Sequence, residues 1–187
     1  MPRFAANLSM LFTESPFLER FSAAAEVGFS AVEFMFPYEF SPRDIALALK
    51  DNGLELVLHN LPAGDWARGD RGTACQLDRV GEFRDGVSRA IDYGQALACP
   101  KLNCLAGILP NEVPAESGCA VLGENLQYTT EKLAAAKIGL LLEPVNKPRR
   151  SRILCRSSEP GPLDPRCGGS KEPQTAVRRM HHRIDVI

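Results

Sequence analysis

No apolar run in this sequence approaches the ~20 residues that would span a bilayer, so a helical membrane anchor is excluded and no membrane partner is expected. The N-terminus, Met-Pro-Arg-Phe-Ala-Ala-Asn, lacks the basic region, apolar stretch and small-residue cleavage site of a secretory signal, and a cytoplasmic protein is expected. No Cys-x-x-Cys pair occurs among the six cysteines, at positions 75, 99, 104, 119, 155 and 167. Four of them sit among apolar or small residues, where a thiol packs as a small hydrophobe, so free thiols are expected rather than disulfides or a zinc site. Tryptophan is also scarce: Trp66 is the only one.

What is present divides at residue 146. Net charge is −1 over the chain, yet residues 1 to 146 carry 12 Lys+Arg against 19 Asp+Glu, and residues 147 to 187 carry 10 against 4. A change of sign this abrupt marks a boundary. Before it, short β-like runs alternate with longer helical patterns, the signature of β/α units around a parallel sheet. The runs are Phe4 to Leu8, Ala31 to Phe36, Leu54 to His59, Lys101 to Leu105 and Ile138 to Glu143. Helices are expected from about Pro16 to Val27, from Ser41 to Asn52-Gly53, from about Arg79 to Leu97 and from about Ala115 to Ala136. The second has the clearest punctuation, with Ser41 as cap, Pro42 at the first helical position and Asp44 three residues after the cap. The fold class is therefore α/β: a partial TIM-type (β/α) barrel of about five parallel strands and four helices. At 187 residues the chain is long enough for one domain with a real core, while an eight-unit barrel takes roughly 250 residues and rarely fewer than about 200.

In a β/α barrel the chemistry gathers at the C-terminal ends of the strands. The polar residues ending these runs are Asn7, Glu33, His59-Asn60, Asn103 and Glu143, with Asn146 close behind. A carboxylate closing a Leu-Leu-Leu run faces desolvation unless it is paired or metal-bound, which makes Glu143 an acid/base or ligand candidate. Each residue also has a structural alternative. Glu143 could be a buried ion-pair partner, His59 a core histidine bonded to a carbonyl, Arg68 and Arg71 solvated loop charges, and Asn7 and Asn103 strand caps. Glu33 could pair with a neighbouring arginine. The connection from Asn60 to about Leu77, rich in Gly, Asp and Arg, is long for a βα loop, and such loops are usually functional.

Five segments, in order and at family-like spacing, carry a resemblance. They are Arg-Phe-Ala-Ala-Asn-Leu-Ser-Met-Leu-Phe (3 to 12), Gly-Phe-Ser-Ala-Val-Glu-Phe-Met-Phe-Pro-Tyr (28 to 38), His-Asn-Leu-Pro-Ala-Gly-Asp-Trp (59 to 66), Glu-Phe-Arg-Asp-Gly-Val (82 to 87) and Leu-Leu-Glu-Pro-Val-Asn (141 to 146). Together they resemble the hydroxypyruvate isomerase family of xylose-isomerase-like barrels, over essentially all of residues 1 to 146. The resemblance implies reversible conversion of hydroxypyruvate into 2-hydroxy-3-oxopropanoate (tartronate semialdehyde), in glyoxylate metabolism, through an enediol. One base takes a proton from the carbon beside the carbonyl and an acid returns it to the neighbouring carbon. The family uses two glutamates, of which Glu143 matches the first; Glu159 and Glu172, in proline-rich surroundings, do not match the second. The resemblance further implies a divalent metal, Mg or Mn, in full-length members, with Glu143 as one ligand, and assures none for this chain. His59 and Arg71 match positions that would hold the substrate carboxylate, with Asn7 beside them, an arginine fork suiting that group. A barrel isomerase of a longer oxo-sugar acid, or a non-catalytic remnant, is the alternative.

Residues 147 to 187 read as an irregular basic tail. Leu, Ile, Val and Phe supply 7 of its 41 residues, and its five prolines have no helical or strand spacing. Its arginines lack aromatic interleaving, so no nucleic-acid partner is expected, and the His181-His182 pair has no companion ligand. Five strands alone would leave edges on the first and fifth, which favours self-association, and without the second glutamate the chain is expected to be inactive. The tail's composition is that of a frame-shifted translation of GC-rich DNA, whose codons yield Arg, Pro, Gly and Ala. Sequencing the genomic locus checks this: an intact downstream frame carrying further β/α units is the expected result, and a clean stop with none the contrary one.

Overall fold

The alternation of strand and helix read from the sequence is present in the computed structural model, which describes residues 4–145 and 184–186. Strands β1 (Ala6–Asn7), β2 (Ala31–Phe34), β3 (Glu55–Asn60), β4 (Lys101–Leu105) and β5 (Gly139–Glu143) lie side by side in chain order, all parallel. They alternate with α1 (Arg20–Glu26), α2 (Pro42–Asp51), α3 (Val80–Ala96) and α4 (Ala115–Ala136). These are the five strands and four helices expected. A short sixth strand, β6 (Ile184–Val186), adds in parallel to β5, with Leu140 opposite Ile184 and Leu142 opposite Val186. The sequence reading placed no strand there, because three residues give no usable alternation. The edge of β5 is therefore covered, whereas β1 has only β2 as a strand neighbour among the described residues. The rest of the expected tail, 147–183 and 187, lies outside the described residues, as does residue 146, and no described helix is long and apolar enough to cross a membrane.

Local chemistry accounts for the element boundaries. The Ser41 hydroxyl accepts a hydrogen bond from the Asp44 amide at 3.1 Å, Pro42 opens α2, and Gly53 takes the left-handed backbone (φ 62°) that ends it. Each helix then turns an apolar stripe to the same side of the sheet. Phe21, Ala24, Ile45 and Leu49 pack on Ala6, Leu8, Val32, Phe34 and Leu56, and Phe17 stacks with its ring 4.8 Å from Phe40. Along the other half, Phe83, Val87, Leu122, Leu126 and Leu133 pack on Leu102, Cys104, Leu140 and Leu142. Burying each large side chain contributes roughly 1.5–3 kcal/mol. Cys75, Cys99, Cys104 and Cys119 carry thiols, as expected, and burial pushes Cys99 up to about 11 and Cys104 up to about 12.

Since side chains alternate along a strand, the residues between these apolar ones face the inner side of the sheet. One irregularity changes that assignment in β3. Val32 lies opposite Leu56, yet the next residue, Glu33, lies opposite Leu58, so β3 holds one extra residue there. The bulge reverses the alternation beyond it. Leu56 is in the helix-side core, and after the bulge it is His59, opposite Phe34, that returns to the helix side, leaving Asn60 to face inward.

His59 is fully buried, its ring stacked 6.3 Å from Phe34 and edge-on 6.1 Å from Tyr38. Its Nδ1 lies 3.2 Å from the Asn60 carbonyl, which can only accept, so the proton sits on Nδ1 and Nε2 is the lone-pair nitrogen. Burial lowers the His59 pKa from 6.5 to about 4, the bond to the Asn60 carbonyl opposing it. The unfolded chain then binds more protons than the folded one between those values. Stability should be full above pH 6.5 and fall by about 3 kcal/mol as pH drops towards 4. Urea midpoints across this range, compared with His59→Gln, check it; a wild-type profile as flat as the variant's would refute it.

Candidate functional site

Five polar side chains share the inner face at the C-terminal ends of the strands, and hydrogen bonds sort them into two groups. On β1 and β2, directly opposite one another, Asn7 donates through Nδ2 to Glu33 Oε1 at 2.9 Å. Asn7 Oδ1 accepts from the Ser9 backbone amide at 3.0 Å, which fixes the orientation of the Asn7 side-chain amide. On β3 to β5, Asn103 donates through Nδ2 to Asn60 Oδ1 at 3.1 Å and to Glu143 Oε2 at 2.7 Å. Asn60 and Asn103 are opposite each other in register, and both are more than nine-tenths buried, with Asn103 only 2% exposed. Glu143 is half-buried, closing the Leu140-Leu141-Leu142 run opposite Leu105.

The second group is braced from outside the sheet. Tyr38, in the β2–α2 loop, donates its hydroxyl to the Asn60 carbonyl at 2.6 Å, beside the His59 bond to the same oxygen. Arg89 of α3 in turn donates to the Tyr38 carbonyl at 2.7 Å and lies 5.0 Å over its ring, while Tyr93 donates to the Phe40 carbonyl at 2.9 Å. Burial, opposed by Arg89, holds the Tyr38 phenol well above its ordinary range, so it stays a donor.

The long β3–α3 connection folds back over the same end of the sheet. Its base is stapled by Arg79, which donates to Asp70 Oδ2 at 2.7 Å and forks onto both oxygens of Glu82 at 2.7 Å. Gly72, at φ 104°, presses directly on Leu105, where a Cβ would overlap the Leu105 carbonyl. No other residue type fits that approach. Arg71, one residue before this contact, is thereby held at the end of β4. Its guanidinium lies 3.8 Å over the Trp66 ring, and Nη1 donates to the carbonyls of Asp70 at 2.6 Å and Trp66 at 3.2 Å. Trp66 packs in turn 5.1 Å from Phe36. Among the described residues these bonds use only Nη1, leaving the Nε–Nη2 edge as a two-pronged donor.

The structure thus brings Glu143 together with Asn103 and Asn60, and Asn7 together with Glu33, at one end of one face. His59 is on the other face of β3, so its side chain does not join the Glu143 group. Glu33 pairs with Asn7, not with an arginine. Asn60 was overshadowed in the sequence by the histidine before it, and Tyr38 carried no signal beyond its place after a strand end. A divalent cation would find one carboxylate at Glu143, bonded to neutral amides. No cluster of three or more His, Cys, Asp or Glu suited to a metal exists among the described residues. These residues alone do not make the oxygen cage such an ion needs.

Comparison with known proteins gives this geometry a context. Hydroxypyruvate isomerase of Escherichia coli (strain K12) is 53% identical over 146 residues, 78% of this chain and 57% of that one. 2-Oxo-tetronate isomerase of Cupriavidus necator is 42% identical over 146 residues, 78% of this chain and 56% of its own. A crystal structure of an AP endonuclease, family 2, from Brucella melitensis superposes with a TM-score of 0.75 at 49% identity, covering 78% of this chain and 56% of that one. The chain spans a little over half the length of the curated relatives it matches. Residues 21–157 match the model of the xylose isomerase-like TIM barrel, and the chain belongs to that family.

Proposed function

We propose that the chain carries the first catalytic half of a hydroxypyruvate isomerase, with Glu143 as the base. The observation that supports this is the placing of Glu143: a carboxylate at the end of an apolar strand, half-buried, with Oε2 held by Asn103 and Oε1 available to a substrate carbon. In hydroxypyruvate the carbon bearing the hydroxyl lies beside the carbonyl. Glu143 takes a proton from that carbon, the C–H electron pair moves into a C=C bond, and the carbonyl oxygen takes up negative charge as an enediolate. Arg71, through its Nε–Nη2 edge, suits the substrate carboxylate, which an arginine fork binds in two parallel bonds. Asn7 would line the opposite side of the same face. His59 is assigned a supporting place instead of a direct one, since it reaches the site through the Asn60 carbonyl.

Completing the isomerisation needs a second group to deliver a proton to the neighbouring carbon. At this end of the inner face the other described carboxylate is Glu33, which is bonded to Asn7. We therefore assign the described part proton abstraction alone, without net turnover. The 42% identity to a 2-oxo-tetronate isomerase supports a second reading, in which the substrate has one more carbon.

Purified chain incubated with hydroxypyruvate in D2O should exchange the hydrogens of the hydroxymethyl carbon for deuterium without forming 2-hydroxy-3-oxopropanoate. Glu143→Gln should slow this by at least about 100-fold, the scale of general-base catalysis. Exchange equal in both proteins removes Glu143 as the base, and net isomerisation well above background removes the assignment of half a reaction. Faster exchange into a four-carbon 2-oxo acid than into hydroxypyruvate would move the substrate to the second reading.

A further inference from the structure

We propose that Asn60 is a positioning residue for Glu143, acting by locking the side-chain amide of Asn103 with its nitrogen towards the carboxylate. This deepens, and rests on, the assignment of Glu143 as the base. An asparagine amide has two faces of opposite character, NH2 and oxygen, and in isolation either could point at a neighbour. At Asn103 the choice is forced from both sides. Its Nδ2 has two hydrogens, and two acceptors, Asn60 Oδ1 at 3.1 Å and Glu143 Oε2 at 2.7 Å, take one each. A flipped Asn103 would set oxygen against oxygen in both directions. With the flip excluded, Oε2 is the tethered oxygen of Glu143 and Oε1 is the one presented to substrate.

Asn60 can impose this only from a fixed backbone, and two side-chain donors hold its main-chain carbonyl. Tyr38 at 2.6 Å and His59 at 3.2 Å converge on the Asn60 carbonyl oxygen, from the β2–α2 loop and from the helix side of β3. The bulge in β3 is what turns Asn60 inward while His59 turns outward. The adjacent Leu61 amide donates to the Asn103 carbonyl at 2.8 Å, so the backbones of β3 and β4 are joined at the same level as their side chains. Asn60 is 7% exposed, so little solvent competes for these bonds. A neutral donor between two acceptors fixes the direction of Glu143 without adding formal charge to the site.

The test uses the intact chain and the deuterium exchange into hydroxypyruvate, with its rate and half-saturation followed separately. Asn60→Ala should lower the exchange rate about tenfold with half-saturation little changed, since the residue orients the base and does not hold substrate. Asn60→Asp, which keeps an acceptor oxygen facing Asn103, should recover to within about threefold of wild type. A purely structural role would be expected to damage both variants alike. In parallel, the side-chain NH2 resonances of Asn103, read by 15N NMR without any turnover, should move in Asn60→Ala and in Glu143→Gln but stay near wild type in Asn60→Asp. An Asn60→Ala protein that is folded by circular dichroism and exchanges at the wild-type rate overturns the proposal alone. Unmoved Asn103 resonances in Asn60→Ala overturn it as well. Exchange that is absent from wild type overturns the reading of Glu143 as base and, with it, this role for Asn60.

Discussion

The side-chain amide of Asn103 joins three strands at the one place where the sheet has polar groups to organise. The helix-side face of β3, β4 and β5 is closed by apolar residues from α3 and α4, with Leu102, Cys104, Leu140 and Leu142 at its centre. His59 apart, the polar side chains at these strand ends lie on the inner face, where partners matter because a buried unpaired donor or acceptor costs ~1–3 kcal/mol. Through two bonds from a single nitrogen, Asn103 supplies a partner to Asn60 Oδ1 and to one oxygen of Glu143, while its own Oδ1 has none among the described residues. Its neighbours follow from this arrangement. Tyr38, His59 and Arg89 each act on Asn60 or on the loop that holds Tyr38.

The long β3–α3 connection serves the same end of the sheet by different means. Leu61, Ala74 and Cys75 anchor it in the core, and an ion-pair staple at Arg79 and a close backbone approach at Gly72 hold it further. An exposed ion pair alone is worth little, about 0–1 kcal/mol. Here Arg79 engages Asp70 and Glu82 together and also bonds Gln76, so one ordered side chain serves three partners. The consequence is that Arg71 is carried on a loop fixed at both ends. Its guanidinium is oriented by the Trp66 ring.

Much of this was legible in the sequence because the signals were local. Ser41-Pro42 and Asn52-Gly53 bracket α2 in the sequence as they do in the structure, and the Leu-Leu-Leu-Glu run marks β5 and its terminal carboxylate. The strand ends bearing Asn7, Glu33, Asn103 and Glu143 could be read for the same reason: a polar residue ending an apolar run is visible in a single stretch of chain. What was not legible depends on pairing between strands. A bulge is a mismatch of register between β2 and β3, and nothing within Leu-Glu-Leu-Val-Leu-His-Asn distinguishes a bulged strand from a regular one. Strict alternation from Leu56 would put His59 on the inner face and Asn60 on the outer, the reverse of what the extra residue produces. Tyr38 was hidden for a related reason, since its partner lies 22 residues further along the chain.

The same bulge explains why a histidine stands at a strand end without acting as a proton carrier there. Turned to the helix side and enclosed by Phe34 and Tyr38, His59 is neutral at physiological pH, its pKa having fallen to about 4. Its contribution to the site is the Nδ1 proton on the Asn60 carbonyl, a bond that a neutral imidazole makes as well as a charged one. A charged ring at that position would place a cation behind the Asn60–Asn103 amide pair. Burial keeps the ring neutral while its Nδ1 proton stays on the Asn60 carbonyl, so the support His59 gives to β3 adds no formal charge beside the carboxylate of Glu143.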